Sequence, residues 1–298
     1  AIGDTKRPLY YLLAAGAVNV VLNLLFVIVF KMDVSGVALA TIISESLSAF
    51  LVIRCLMRET GAIKLELKKL RVHKAELISI IRIGLPAGFQ GIVFALSNVV
   101  IQSSVNLFGN IVVAGNSAAA NIEGFVYMAM NSFYQATLSF MSQNFGAGEY
   151  KRLNKILACG ELCVVMVGLV LGNAAVLFGN QLLSIYSDSP EVIAAGMVRL
   201  HYISKVYFLC GIMDVLVGAL RGIGYSVLPM VVSLLGACGL RLLWIATVFQ
   251  IPRFHKVEVV YLSYAITWII TAGVHFLCYV IVRKKVARKY EQGTPANV

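Results

Sequence analysis

Apolar residues run in long blocks from one end of the chain to the other, separated by short polar connections. A bilayer core demands about 20 apolar residues per helix, because in hydrocarbon every backbone N–H and C=O must be satisfied within its own segment. Blocks of that length occur at 9–30, 34–57, 84–107, 114–142, 156–179, 192–220, 226–249 and 257–282. The pattern predicts an all-α integral membrane protein with about eight transmembrane helices and no separate soluble domain.

Composition sharpens this picture. The 298 residues are 59% hydrophobic and only 13% charged, against about 45–50% and about 25% in soluble domains. The net charge of +11 lies in clusters between the blocks and not on one basic face, which argues for an anionic membrane surface over nucleic acid. Basic clusters fall on alternate connections: Lys6 and Arg7, Arg58 to Lys74, Lys151 to Lys155, Arg221, and the tail from Arg283 to Lys289. Because cytoplasmic loops are enriched in Lys and Arg, both ends are expected to be cytoplasmic, in a multi-pass protein of the cell membrane. Arg253 and Lys256 run against that alternation, partly balanced by Glu258. The six cysteines lack zinc spacing and lie in or beside apolar blocks, and no Ser/His/Asp or HExxH arrangement occurs, so no metal, cofactor or enzymatic activity is expected.

An internal repeat carries more information than any single residue. Ile2-Gly3, Thr5 and Pro8 align with Ile223-Gly224, Ser226 and Pro229, and each copy opens a pair of spans. Glycine would end one helix and proline enter the first turn of the next, where its missing N–H is harmless. Before its hinge the second copy has four spans, from Gly84 to Leu220, but the first copy has only three residues, so the repeat predicts a C-terminal fragment lacking about four helices of a two-repeat transporter.

Several motifs in order resemble the multidrug and toxic compound extrusion (MATE) family: Ile2 to Pro8 leading to Asn19 and Asn23, Val34 to Thr41, Gly84-Leu85-Pro86, Gln143 to Gly148, and Gly218 to Gly224 ahead of Pro229. The resemblance covers essentially the whole chain. It implies two six-helix lobes around a cavity, exporting drug-like, often cationic compounds by alternating access in exchange for Na⁺ or H⁺, and acting as a monomer. Residues 1–57 would then be the last two helices of the first lobe, 58–83 a basic inter-lobe linker on the inner leaflet, 84–282 the second lobe, and 283–298 a cytoplasmic tail. The alternatives are a lipid-linked oligosaccharide flippase of related fold, which should place more cations in the cavity, and a non-transporting receptor or scaffold.

Ion coupling needs a polar or ionisable group inside the membrane. Asn19, Asn23 and Glu45 fall at about 15–21 Å from the cytoplasmic end of their spans, near the midplane. The resemblance implies a first-lobe cation site using polar positions on this helix, against a reading of the two asparagines as interhelical glue. It also implies a neutral residue such as Gln where Glu45 stands. Asp214 resembles a carboxylate that some family members use in their cation site, against a hydrogen-bonded structural role. Glu123, Lys205 and Arg241 read as a structural ion pair drawn from three groups in the outer half. Glu161, His201 and His275 read as snorkelling near an interface, and Cys159 and Cys163 as packing groups. Gln90, Phe94, Asn98 and Met128 are the candidates for lining a substrate cavity, since amides set among aromatics and Met suit a promiscuous pocket.

Overall fold

The computed structural model describes residues 6–60 and 64–291, with side chains to residue 286. The described residues are helical with short connections and contain no β-strand. Six helices are long and apolar enough to cross a bilayer by themselves, and a pair bent by 45° counts as a seventh. The eighth expected span is α4 (Asn110–Gly146), which is long enough but carries Asn116, Asn121, Glu123 and Asn131 along its length. The chain divides into two units, residues 1–74 and 75–298. The run 1–5, which holds the glycine of the first repeat copy, lies outside the described residues.

The first unit is a helical hairpin. Helix α1 (Lys6–Leu24) continues through a π turn at Leu25–Val29, and α2 (Asp33–Arg58) returns antiparallel. The buried positions of α2 are Gly36, Ala40 and Ser44, one turn apart on one face. Small residues at that spacing let two helices approach closely in lipid, where packing replaces the hydrophobic effect as the driving force. The link between them turns through Lys31 and Asp33, both in the left-handed region at φ 53° and 46°. At the opposite end, Arg7 and Glu59 form an ion pair.

The second unit holds α3 (Lys74–Asn106), α4, α5 (Leu153–Leu177), the short α6 (Gly179–Ser184), α7 (Pro190–Ile203), α8 (Phe208–Gly222), α9 (Val227–Ser233), α10 (Arg241–Ala246) and α11 (Val257–Glu291). Gly109, at φ 88°, makes the three-residue turn from α3 to α4 possible. Helix α8 is central, with ten buried residues including Met213, Leu216, Ala219 and Leu220. Val260, Trp268, Thr271, His275, Tyr279, Val282 and Val286 form one buried face of α11, at the three- and four-residue spacing of a helix. The outward surfaces carry Leu96, Val99, Leu162, Val170, Phe276 and Leu277, all well exposed, which suits lipid and not water.

Two expected boundaries move. Helix α3 begins ten residues before position 84 and runs through Pro86; its first turns are apolar enough to continue the span despite Glu76 and Arg82. The stretch between α2 and α3 is therefore shorter than the expected linker, and its described residues hold one 3₁₀ turn at Leu67–Lys69. Likewise α11 runs to Glu291, so the basic tail begins as helix. The repeat motif behaves as expected in its second copy: α8 ends at Gly222, Gly224 turns at φ 91°, and Pro229 lies in the first turn of α9.

Helices α7 and α8 are joined by a 3₁₀ turn, Ser204–Val206. Broken backbone at membrane depth must be covered by protein, and Ser204 is fully buried. A Cβ on Gly172 of α5 would sit 2.2 Å from the Ser204 carbonyl oxygen, so only glycine lets α5 close over the break. Gly172→Val should therefore destabilise by about 1–3 kcal/mol, read as a lower thermal midpoint in detergent. Gly124→Ala, where the added methyl meets open space, should leave it unchanged. Equal midpoints for the two variants would contradict this account of the break.

Candidate functional site

In the first unit the two asparagines are brought together as their one-turn spacing requires. Asn23 donates from Nδ2 to Oδ1 of Asn19 at 2.9 Å, and Asn19 donates to Oγ of Ser44 on α2 at 3.1 Å. Ser44 in turn donates to the Thr41 carbonyl. The cluster thus ties α1 to α2, and it keeps one open valence, since Oδ1 of Asn23 is buried without a partner. Glu45 follows Ser44 but is exposed, because the next residue on a helix points about 100° away.

The second unit contains a cavity of about 460 Å³. Gln90, Phe94 and Asn98 reach it from α3, each about one turn from the last. Tyr127, Asn131 and Tyr134 come from α4, Cys210, Met213, Asp214 and Arg221 from α8, Arg241 from α10, and Tyr264 and Trp268 from α11, with Tyr207 at the break before α8. Asp214 faces the Tyr127 hydroxyl, with Arg221 as its cationic neighbour. Arg221 donates to the Tyr134 hydroxyl and to Oε1 of Gln90, both at 2.8 Å. Met128 does not line the cavity: it is 72% exposed, one residue past Tyr127 and turned away from it.

Next to this cavity a smaller chamber of about 270 Å³ shares Asn98, Tyr207, Tyr264 and Trp268 with it. Its wall holds Glu123 of α4 and Arg199 of α7, paired at 2.7 Å with both carboxylate oxygens engaged. Arg199 also donates to Oδ1 of Asn116 at 2.7 Å, which accepts from Tyr261 as well. Asn116 donates to Gln102 of α3. This network corrects the expected partners of Glu123. Lys205 is exposed, and Arg241 lies against aromatic rings in the cavity.

The family profile named MatE matches residues 86–247, which include α4 to α10 and most of α3. The chain belongs to the MatE family. Relatives of this MatE chain include the probable multidrug resistance proteins YoeA and YpnP of Bacillus subtilis strain 168. YoeA is 26% identical over 95% of the chain and 62% of its own length; YpnP is 30% identical over 81% of the chain and 54% of its own length. The chain thus spans only part of the length of these relatives. A solved outward-facing multidrug resistance MATE family transporter superposes with a TM-score of 0.87 at 19% identity, over 96% of the chain and 64% of that structure. The fold is therefore that of a MATE transporter and the chain a multi-pass membrane protein.

Arg199, Arg221 and the ring pair Tyr264 and Trp268 escaped the sequence reading. Arg199 had a signal, since it is an ionisable residue inside the 192–220 block. Arg221 was grouped with loop charges because it lies where a block ends. His275 does not snorkel: it is fully buried and bonded to Ser233 at 3.0 Å, holding α9 to α11. Both carboxyl oxygens of Glu161 are buried without partners, and Cys159 and Cys163 are exposed instead of packed.

The Glu123–Arg199 pair of this MatE chain gives a direct test. Breaking a buried pair by removing one partner costs about 3–5 kcal/mol, because the other charge stays buried. Glu123→Gln and Arg199→Met singly should lower the thermal midpoint in detergent more than the double variant does. Additive losses would show that the two residues act independently.

Proposed function

We propose that this chain works in a secondary antiporter that exports drug-like organic compounds through the second-unit cavity in exchange for Na⁺ or H⁺. The observation that carries the reading is the cavity itself: one carboxylate, Asp214, stands beside the Tyr127 hydroxyl and the amides of Gln90, Asn98 and Asn131, among aromatic faces. A carboxylate in a low-dielectric wall can bind a proton or a cation in one state and release it in another, as coupling requires. Rings and Met213 supply adaptable apolar contact for varied substrates. Membership of the MatE family and relatives named for multidrug resistance support the same reading. Asn19 and Asn23, with the free oxygen of Asn23, form the corresponding polar cluster in the first unit. Glu45 takes a lesser part, being exposed. A flippase would call for a longer basic track than this cavity wall offers, which holds Arg221 and Arg241 but not Lys205. The protein acts as a monomer in the cell membrane, with both ends of this chain cytoplasmic.

Asp214→Asn keeps the shape and removes the exchangeable charge. In cells expressing the whole reading frame, normalised to protein in the membrane, it should lower gradient-driven efflux by about tenfold or more, equivalent to at least about 1.4 kcal/mol. Glu45→Gln should be milder. Wild-type ion dependence in the Asp214→Asn protein would remove Asp214 from the coupling site. For topology, single cysteines at Lys69, Arg288 and Asp188 in a cysteine-free background should react with an impermeant reagent from outside only at position 188. External labelling at position 69 would reverse the orientation.

A further inference from the structure

The cavity and its side chamber hold three arginines and two carboxylates. Glu123 is engaged by Arg199. Asp214 has Arg221 for its neighbour, and Arg221 is further held by Tyr134 and Gln90. Arg241 is left over: among the described residues no carboxylate lies within ion-pair distance of it. Its side chain is 3% exposed, Nη2 donates to Thr267 at 3.2 Å, and Nε has no partner. The guanidinium lies 3.9 Å from the centre of the Tyr264 ring and 5.9 Å from that of Trp268. Arg199 stands 5.9 Å from the centre of the same Tyr264 ring, so two cations approach one ring.

A guanidinium carries five N–H donors in a planar fork, and a buried charge without a counter-ion is unfavourable unless something enters to pair with it. The chain also distorts itself to present this group. Arg241 follows immediately on the π turn Leu234–Leu240, and such turns rotate the residues after them relative to a regular helix. Rings beside the fork offer a stacking surface next to the charge.

We propose that Arg241, Tyr264 and Trp268 form an anion subsite within the cavity, which takes the carboxylate or phosphate of an aromatic substrate. The substrate class is then organic anions, including zwitterions whose positive end lies toward Asp214, and not the organic cations that the family resemblance put first. The inference rests on the proposed role of the cavity as the substrate site.

The test is equilibrium binding to the detergent-purified product of the whole reading frame, followed by quenching of tryptophan fluorescence. Four probes share one ring system: 2-naphthoate, 2-naphthyl phosphate, neutral 2-naphthamide and cationic (2-naphthylmethyl)trimethylammonium. At least one of the two anions should bind about tenfold or more tighter than the amide and the cation, and the better of the two identifies the head group. Arg241→Gln should abolish that preference, and Arg241→Lys, which keeps the charge but not the fork, should retain part of it. If Arg241→Gln does not fold, a weakened anion preference in Arg241→Lys carries the test, and an undiminished preference in that variant overturns the subsite. Equal or tighter binding of the amide or the cation by the wild type would overturn the subsite while leaving the transport reading intact. Binding of no probe, together with absent efflux in cells, would overturn both.

Discussion

The bidentate pair between Glu123 and Arg199 holds the second unit in register. Two charges inside a membrane protein must be paired and hydrogen-bonded or they do not stay charged. Here the pairing spans α4 and α7, and Asn116 carries the network on to Gln102 of α3 and Tyr261 of α11. Four helices thus meet at one polar knot. Close backbone approach makes the knot geometrically possible: a Cβ on Gly115 would lie 2.6 Å from the backbone nitrogen of Gly196, so α4 and α7 touch beside Asn116 and about one turn from Arg199. Lengthening either contact would pull the fork off the carboxylate.

Order at the knot is passed to the cavity by shared walls. Tyr207, Tyr264 and Trp268 belong to both chambers, and Tyr207 and Trp268 lie with ring centres 5.4 Å apart. Tyr207 stands directly after the break between α7 and α8. The break directs α7 to the ion pair and α8, with Asp214 and Arg221, to the cavity floor. One irregular turn, closed over by Gly172, separates a structural element from one that presents chemistry.

How much of this was legible in the sequence follows from what each feature depends on. The spans were legible because apolar blocks of membrane length have one physical meaning, and the small-residue face of α2 is visible at 36, 40 and 44. Asn19 and Asn23 could be placed on one face by spacing alone. Gln90, Phe94 and Asn98 share a wall for the same reason, whereas Met128 missed it because its helix phase could be set only by knowing that Tyr127 faces inward. Partner choice was not legible. Glu123 had several bases at comparable depth, and only the tertiary crossing of α4 and α7 selects Arg199. The π turns at Leu25–Val29 and Leu234–Leu240 leave no mark in the hydrophobic pattern, yet the second sits immediately before Arg241 and its orientation. Arg221 was misread because a block boundary says where the charges resume and not which way the last side chain turns.

Arg199 and Arg241 together show how a structural charge differs from an available one. Both are nine-tenths or more buried and both flank Tyr264. Arg199 directs its donors to a carboxylate and an amide, so its electrostatic demand is met within the protein. Arg241 has a hydroxyl, two rings and an unbonded Nε. Removing the first should therefore register in stability, because it leaves Glu123 buried and alone. For the second, the uncompensated charge already exists in the folded state, so its replacement bears chiefly on what the cavity accepts. Burial alone does not separate these roles; the count of satisfied donors does.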